Sequence, residues 1–361
     1  MTAPRARFAV EKLPLYVPGL HKTTGDVNPA VLSANENALG PSPAARKAFR
    51  AAAARLHRYP DGHASELRQA LAAHHGLEAE RIVCGAGSDE LITQLARLFA
   101  GPGDEVLYYR HSFVMYPVCA QQVGATPVGA PGTAAMGVDV DALLAHVTDR
   151  TRIVFIANPN NPTGSCLPAR EVRRLADGLR DDILLVIDAA YAEYAMADDY
   201  SAGAELVRER ANVVMLRTFS KIHALAALRV GWGYFPPAIA SAVNRMRDPF
   251  NVNSAGQAAA AAALGDLAHV RRSRRHNALW RKRMRESLEN GGFTVTPSEA
   301  NFLLAACGNT QRAERLYAFL MQQGVIARAV ASAGLPDHIR VTVGTAMENR
   351  RFMDALKSFR D

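Results

Sequence analysis

A lysine with apolar neighbours has the clearest chemical use in this sequence of 361 residues. Lys221 lies in TFSKIHALAALRVGW (Thr218 to Trp232), where hydroxyl residues precede it and Arg229 follows eight positions later. Removal from water disfavours an ammonium ion, and the amine of such a lysine can therefore form a Schiff base with an aldehyde. The segment predicts a nucleophilic lysine.

Three further side chains are suited to holding an aromatic heterocycle beside that lysine. Asp188 follows an apolar run and can keep a pyridine nitrogen protonated, which makes the ring an electron sink. Tyr191 and Asn161 can donate hydrogen bonds to a phenolate oxygen on the same ring. Each has a plainer interpretation, since Asp188 alone could be a helix N-cap and NPNNPTG around Asn161 could be only a tight turn. Their occurrence together favours a cofactor site.

An anion site is indicated by GAGSDE, which covers residues 85–90. Backbone amides and a guanidinium bind a phosphate dianion well, and the candidates are Gly87, Ser88, Asp89, Ser220 and Arg229. Taken alone, the arginine would usually be a surface or ion-pair residue. A Schiff-base lysine, a carboxylate for a pyridine nitrogen and a phosphate site together predict a pocket for pyridoxal 5′-phosphate, and no metal is expected.

Short apolar runs must position these residues. RIVC, EVLYY, RIVFIA, ILLVID and VVMLR alternate with helical patterns, which predicts an α/β fold with a parallel sheet covered on both faces. Ligands of such sheets bind beyond the carboxyl ends of the strands. GAGSDE, NPNNPTG, Asp188 and TFSK each follow one of these runs, and we therefore expect them to meet at one edge.

The last third of the chain has a different pattern. In HIRVTVGT, strict alternation places Ile339, Val341 and Val343 on one face of a strand and Arg340 and Thr342 on the other. This pattern predicts a smaller α+β domain with a half-exposed sheet, beginning near NRMRDPFNVN.

Composition narrows the class of protein. The chain is 49% apolar with a net charge of +8, and it shows neither an apolar leader nor a bilayer-spanning run, which predicts a soluble, cytoplasmic protein. Its cysteines lack C-x-x-C spacing and are expected to be free thiols. In the basic stretch RRSRRHNALWRKRMR, Trp280, Met284 and Leu288 recur at helical spacing, which indicates a helix with one buried face. Neither nucleic acid nor a membrane is expected as a partner.

Motifs along nearly the whole chain carry a family resemblance. They are YVPG, LSANENALGPSP, RYPDGHASELRQAL, IVCGAGSDELI, NPNNPTG, DAAYAEY, TFSKIHALAALRVGW, PFNVN, ANF and IRVTVGTAMENRRF. With this set the chain resembles a fold type I pyridoxal-phosphate aminotransferase of the histidinol-phosphate aminotransferase family. The resemblance implies a three-layer α/β fold with a mostly parallel central sheet, plus a smaller α+β domain. It implies an N-terminal arm over residues 1–30 that is part of the small domain, a large cofactor-binding domain over 31–243 and a small C-terminal domain over 244–361.

The resemblance also implies roles for residues at the cofactor. Lys221 carries the cofactor and shuttles a proton between the substrate α-carbon and cofactor C4′, and Asp188 pairs with the pyridinium. Phe113 stacks on the ring, where many relatives have Tyr. Tyr59 reaches the phosphate of the neighbouring subunit, which implies a homodimer with shared active sites. The implied cofactor-binding set is Gly87, Ser88, Asp89, Phe113, Asn161, Asp188, Tyr191, Thr218, Ser220, Lys221, Arg229 and Tyr59, of which Lys221, Asp188 and Tyr191 are catalytic.

Substrate residues are implied in the same way. Arg340 grips a carboxylate or phosphate, and Tyr16, Asn161 and Arg328 are further contacts. Arg328 could equally be a surface arginine. Ala224 stands where relatives often have glycine.

The implied reaction transfers an amino group between L-histidinol phosphate and 2-oxoglutarate by a ping-pong route through pyridoxamine phosphate. An aromatic amino acid aminotransferase is the alternative that shares most of these motifs, and a phosphothreonine decarboxylase is a third. A Rossmann dehydrogenase is disfavoured because Glu90 occupies the third glycine position of GAGSDE. The one argument for a nucleic-acid-binding protein is the positive net charge.

Overall fold

Strands and helices alternate along the first two thirds of the chain, as the apolar runs predict. The computed structural model describes residues 28–360. Its strands, in chain order, are β1 (Ala30–Val31), β2 (Ile82–Gly85), β3 (Glu105–Tyr109), β4 (Thr126–Ala130), β5 (Thr151–Ala157), β6 (Leu184–Asp188), β7 (Val213–Thr218), β8 (Gly231–Tyr234), β9 (Thr294–Val295), β10 (Phe302–Ala306), β11 (Val325–Ile326), β12 (Arg328–Val330) and β13 (Leu335–Thr342).

The helices pack on these strands and begin with ordinary caps, such as Ser42 before the first helix and Asn253 before the ninth. In chain order they are α1 (Pro43–Ala52), α2 (Ser65–His75), α3 (Ser88–Phe99), α4 (Met115–Gln122), α5 (Val140–Ala145), α6 (Ala169–Gly178), α7 (Ala204–Glu209), α8 (Pro237–Met246), α9 (Ser254–Gly265), α10 (Leu267–Asn290), α11 (Thr310–Gln322) and α12 (Ala346–Ser358).

The central sheet has seven strands in the order β2-β8-β7-β6-β5-β3-β4. Neighbouring strands are parallel except where β8 pairs with β2 and with β7. The five apolar runs of the sequence form β2, β3, β5, β6 and β7. The predicted α/β fold with a mostly parallel sheet is confirmed.

Both faces of this sheet are covered. Along β5, Val154 and Ile156 pack under α2, α5, α6, α7 and α9, whereas Ile153 and Phe155 pack on the opposite face under α3, α4 and α8. Successive side chains of a strand point to opposite faces, which is why a strand buried on both faces needs a continuous apolar run. Burial of each such side chain contributes about 1.5–3 kcal/mol.

A second, antiparallel sheet has the order β12-β13-β10-β9. Its core lies against α10, where Trp280, Met284 and Leu288 are buried together, as their helical spacing predicts. Ile339 and Val341 of β13 enter the same core. No helix among residues 28–360 is long and apolar enough to cross a membrane.

The prediction of a half-exposed sheet is wrong for β13. Arg340 and Thr342, on the polar face of the strand, are 9% and 3% exposed. The segment before α1 covers that face, because the Asn35 amide donates to Thr342 Oγ1 at 3.0 Å and Arg340 donates to the Ser33 carbonyl at 2.6 Å. Period-two alternation distinguishes an apolar face from a polar one, but a polar face can meet either water or another part of the protein.

The domain bounds of 31–243 and 244–361 remain a prediction. The helix α9 lies within the range 244–361, yet it packs on the central sheet. The apolar cluster of that sheet includes Ala259, Ala260 and Ala263 of this helix. At the other end of the described chain, β1 pairs in parallel with β11 in a separate two-stranded sheet, and Ala30 joins the apolar core that lies under α10.

The connection from β7 to β8 carries Lys221 and must reverse direction within a few residues. Two backbone hydrogen bonds close it, from Leu225 to the Phe219 carbonyl at 3.0 Å and from Phe219 to the Val230 carbonyl at 3.0 Å. Ala224 lies between them with φ +57°, in the left-handed region. A Cβ is strained there, which explains why glycine suits this position.

We expect Ala224→Gly to raise the free energy of unfolding by about 0.5–1 kcal/mol, because relief of left-handed strain exceeds the added entropy of an unfolded glycine. Urea unfolding measures the change. Ala318→Gly is the matched control, since Ala318 is exposed within α11 and its replacement should destabilise by about 0.5–1 kcal/mol. Equal losses in both variants would contradict the strain argument.

Candidate active site

The carboxyl ends of β5, β6 and β7 open into a cavity of about 270 Å³. The β12–β13 hairpin and residues 33–35 close its other side. The structure thus brings most of the predicted residues to one place, as the edge argument expects. Those that line the cavity are Ser88, Asp89, Phe113, Asn161, Asp188, Tyr191, Thr218, Ser220, Lys221, Arg229, Arg328 and Arg340.

Lys221 reaches the cavity between the sheet and residues 33–35. Its Nζ lies 3.5 Å from the Ala34 carbonyl oxygen, a long hydrogen bond, and 5.6 Å from the centre of the Tyr191 ring. The side chain is half-buried. An amine held by so weak a contact can turn toward a carbonyl group bound beside it.

Asp188 is the buried carboxylate of the site. Its Oδ2 accepts a hydrogen bond of 2.9 Å from the Tyr116 hydroxyl, while Oδ1 has no hydrogen-bond partner among residues 28–360. Burial raises the pKa of Asp188 to about 6, and the hydrogen bond from Tyr116 opposes that shift. A buried carboxylate with an unused oxygen is suited to pair with a protonated ring nitrogen.

Tyr116 is a site residue that sequence reasoning missed. It is fully buried, stacks on Phe155 with ring centres 4.7 Å apart, and meets the edge of Phe113 at 5.7 Å. Phe113 itself lines the cavity. The one available signal was the spacing of Tyr116 three residues after Phe113, one helical turn away at the start of α4.

An anion cradle lies where β2 leads into α3. Gly87 caps α3 with φ +85°, and a Cβ there would clash with the Arg229 guanidinium. Arg229 donates to Asp89 Oδ2 at 3.2 Å and to Ser220 Oγ at 3.3 Å. Thr218 Oγ1 accepts the Ser220 amide at 3.1 Å and so orients this serine. Free amides at a helix N-terminus together with a guanidinium favour a dianion.

Asn35 links the site to its cover and was not predicted as a site residue. Its side-chain amide donates to the Tyr191 hydroxyl at 2.8 Å, and its Oδ1 accepts from Thr342 Oγ1 at 3.1 Å. Its own carbonyl accepts from Asn301 at 3.1 Å. The asparagine stands in the quoted motif LSANENALGPSP, but nothing in that motif indicates a contact with a tyrosine 156 residues away.

The predicted turn NPNNPTG does form a turn, and it also serves the site. It is closed by a hydrogen bond of 2.8 Å from the Gly164 amide to the Asn160 carbonyl. Asn161 lines the cavity, and its Oδ1 accepts a hydrogen bond of 2.7 Å from Arg340.

Two arginines lie side by side on neighbouring strands of the smaller sheet. Arg328 of β12 pairs in register with Arg340 of β13, and both side chains line the cavity. Arg340 also lies over the Phe302 ring, 5.3 Å from its centre. Hydrogen bonds from the Arg340 guanidinium to Asn161 Oδ1 and to the Ser33 carbonyl fix its position at the cavity.

Tyr59 lies away from this cavity. Tyr59 is 83% exposed and stacks on Phe250 with ring centres 4.7 Å apart, on a separate groove of about 770 Å³. It does not line the cavity of its own chain. Tyr16 lies outside the described residues.

The residues present fit pyridoxal 5′-phosphate. Oδ1 of Asp188 is buried and unpaired within residues 28–360, and Gly87 leaves room beside Arg229 that a side chain would fill. Lys221 lines the same cavity. A nitrogen-protonated ring, a phosphate and an aldehyde would each meet a suitable group.

Comparison with known proteins gives a consistent result. The family described as aminotransferase class I and II matches residues 28–356. A histidinol-phosphate aminotransferase from Paramagnetospirillum magneticum is 50% identical over 364 residues, which cover 99% of this chain and 99% of that protein. One from Rhodospirillum rubrum is 49% identical over 99% of this chain and 97% of its own length.

A solved structure agrees. Histidinol-phosphate aminotransferase from Sinorhizobium meliloti, in complex with pyridoxal-5′-phosphate, superposes with a TM-score of 0.90 at 30% identity, over 99% of each chain.

The raised pKa of Asp188 predicts how the free energy of unfolding depends on pH. Its pKa in the folded protein without ligand is about 6, against about 3.9 when unfolded, and the folded state therefore keeps a proton that the unfolded chain has lost between these values. Stability from this group thus falls as pH rises from about 4 to about 6, by roughly 2–3 kcal/mol. We expect Asp188→Asn to remove this loss.

Urea unfolding of the ligand-free protein should show Asp188→Asn stabilised relative to wild type by roughly 2 kcal/mol more at a pH of about 7.5 than at about 4.5. Asp198→Asn, at an exposed position, should show the same difference at both values. A difference independent of pH in Asp188→Asn would contradict the assigned cause.

Proposed function

Because the chain belongs to the aminotransferase class I and II family, we propose that it transfers the amino group of L-histidinol phosphate to 2-oxoglutarate. The enzyme class is aminotransferase and the cofactor is pyridoxal 5′-phosphate. The amino donor, the acceptor and a ping-pong order of two half-reactions are proposed. The near-full-length similarity to histidinol-phosphate aminotransferases supports the donor.

The cofactor, when bound, supplies an electron sink for the pair of electrons left at the substrate α-carbon. Asp188 would hold the ring nitrogen protonated through its unpaired Oδ1. Lys221 Nζ, which lines the cavity, would take the proton from the substrate α-carbon and return it to cofactor C4′. Its long contact with Ala34 leaves the amine free to move between these positions.

Other side chains would orient the ring and keep it from water. Asn161 and Tyr191 would donate to its phenolate oxygen, and Phe113 would lie on its face. Ser88, Ser220 and Arg229 would bind the phosphate, for which Arg229 would exchange its contact with Asp89. The Tyr191 hydroxyl is already oriented, since it accepts from Asn35.

The observation that carries the substrate proposal is the register of Arg328 with Arg340 at the cavity. Histidinol phosphate and 2-oxoglutarate are both anions, and planar guanidinium groups bind phosphate and carboxylate in the same geometry. L-Phenylalanine presents one carboxylate with a single negative charge, whereas the phosphate of histidinol phosphate is a dianion whose three oxygens can accept from both guanidinium groups. A phosphothreonine decarboxylase would act on a carboxylate that histidinol phosphate lacks.

We also propose a homodimer with shared active sites. Tyr59, Leu56 and Phe250 are exposed large side chains, and Tyr59 and Phe250 stack on each other beside a groove formed with α9. A contiguous exposed patch of this kind favours a protein interface. Tyr59 would then serve the phosphate site of the other subunit. A monomer by sedimentation at micromolar concentration would contradict this arrangement.

Lys221→Ala tests the mechanism. Loss of the amine should lower transamination by at least about 10²–10⁴-fold, because no other base in the described cavity replaces it. Steady-state assays measure the loss, and circular dichroism checks the fold. Lys282→Ala, at an exposed lysine of α10, should keep full activity. An active Lys221→Ala enzyme would remove the proposed mechanism.

Substrate preference is tested by mixing the loaded enzyme separately with L-histidinol phosphate, L-glutamate and L-phenylalanine in a single turnover. The change in cofactor absorbance should be fast with the first two and slow with phenylalanine, because its single carboxylate attracts the two guanidinium groups less than a phosphate dianion or two carboxylates do. A faster change with phenylalanine would favour the aromatic aminotransferase. Arg340→Gln should slow the first two reactions more than the third.

A further inference from the structure

Glu90 lies just behind the anion cradle and is not used by the proposed mechanism. It is the third residue of α3, whose cap, Gly87, has no side chain to hold the first turn. The Glu90 carboxylate reaches back, and its Oε2 accepts the Ala86 amide at 2.5 Å. In the same turn the Gly87 amide donates to the Gly85 carbonyl at 2.8 Å.

The carboxylate is held from two other directions. Asn251 donates to Glu90 Oε2 at 2.8 Å, and Gln94 donates to Oε1 at 3.0 Å. The same Asn251 amide lies 3.3 Å from the Cys84 carbonyl, at the end of β2. Glu90 therefore joins the turn, the helix and the segment before α9, and its position is set by all three.

Glu90 does not line the cavity, whereas Asp89 and Ser88 do. Because its carboxylate accepts the Ala86 amide, the 85–87 turn is held next to the first two residues of α3, Ser88 and Asp89, which line the cavity. On the far side, a Cβ at Gly231 would clash with the Ser88 amide, which shows how closely β8 limits the same turn.

We propose that Glu90 is a positioning residue for phosphate: it holds the 85–87 turn so that the amides of Ser88 and Asp89 bind the cofactor phosphate. The role rests on the proposed function, since it presumes a phosphate in the cradle. Loss of Glu90 should therefore weaken binding of the phosphate group and leave binding of the ring and the aldehyde unchanged, because other residues hold those parts.

Equilibrium dialysis of the ligand-free full chain against pyridoxal 5′-phosphate and against pyridoxal, which lacks the phosphate, measures this. We expect Glu90→Ala to weaken binding of the phosphorylated compound by about tenfold, the effect of one charge-assisted hydrogen bond, and to leave pyridoxal binding within about twofold.

Glu90→Gln, unlike Glu90→Ala, should keep the wild-type preference for pyridoxal 5′-phosphate over pyridoxal. The Gln94 Oε1 atom is buried without a partner among residues 28–360, and rotation of that amide would let it accept from a glutamine at position 90. The glutamine oxygen would still accept from Ala86 and Asn251. If Glu90→Ala does not fold, Glu90→Asp, one methylene shorter, takes its place with the same expected loss of preference.

The matched control is Glu348→Ala. Glu348 is also the third residue of its helix, α12, accepts the amide of the cap Thr345 at 2.7 Å and does not line the cavity. Its loss should lower stability and leave both affinities unchanged. Equal weakening of pyridoxal and pyridoxal 5′-phosphate by Glu90→Ala would overturn the proposal, as would the same loss of preference in Glu348→Ala. A wild-type protein with no preference for the phosphorylated compound would instead overturn the proposed function.

Discussion

The site depends on one unfavourable placement, a carboxylate at the buried end of the central strand β6. Asp188 has its pKa raised by burial, and one of its oxygens has no partner among residues 28–360. A structural aspartate would be solvated or fully hydrogen-bonded, because an unpaired buried oxygen is costly. The surroundings are arranged to tolerate it, with Tyr116 donating to Oδ2 and stacking on Phe155. Such an arrangement is stable once a cationic ring nitrogen supplies the missing partner.

The remainder of the site is built where two sheets approach each other. The central sheet supplies Asp188, Asn161 and the loop that carries Lys221, and the smaller sheet supplies Arg340. Arg340 donates to Asn161 between the two sheets, and Asn35, in the segment before α1, donates to Tyr191. The cavity is therefore shaped by contacts between residues that are far apart in sequence.

Much of this arrangement was predictable. The five apolar runs became strands of one sheet, and the polar residues that follow them line one cavity. The family resemblance and the aminotransferase class with its cofactor are confirmed. The roles of individual residues, the homodimer and the domain bounds stay predictions. The half-exposed sheet was wrong, because alternation in β13 identified a polar face and the structure turned that face inward.

The amino-acid sequence by itself determined the strands, the common edge at which their following loops meet and the chemical types gathered there, because strand formation follows from local residue pattern and parallel strands place their carboxyl ends at the same edge. Only the tertiary structure decided what surrounds those groups. Three contacts could not be predicted from residue spacing. They are the bonds from Tyr116 to Asp188, from Asn35 to Tyr191 and from the Ala86 amide to Glu90. Hydrogen bonds and burial depend on where distant segments pack, and that packing is settled by the whole chain at once.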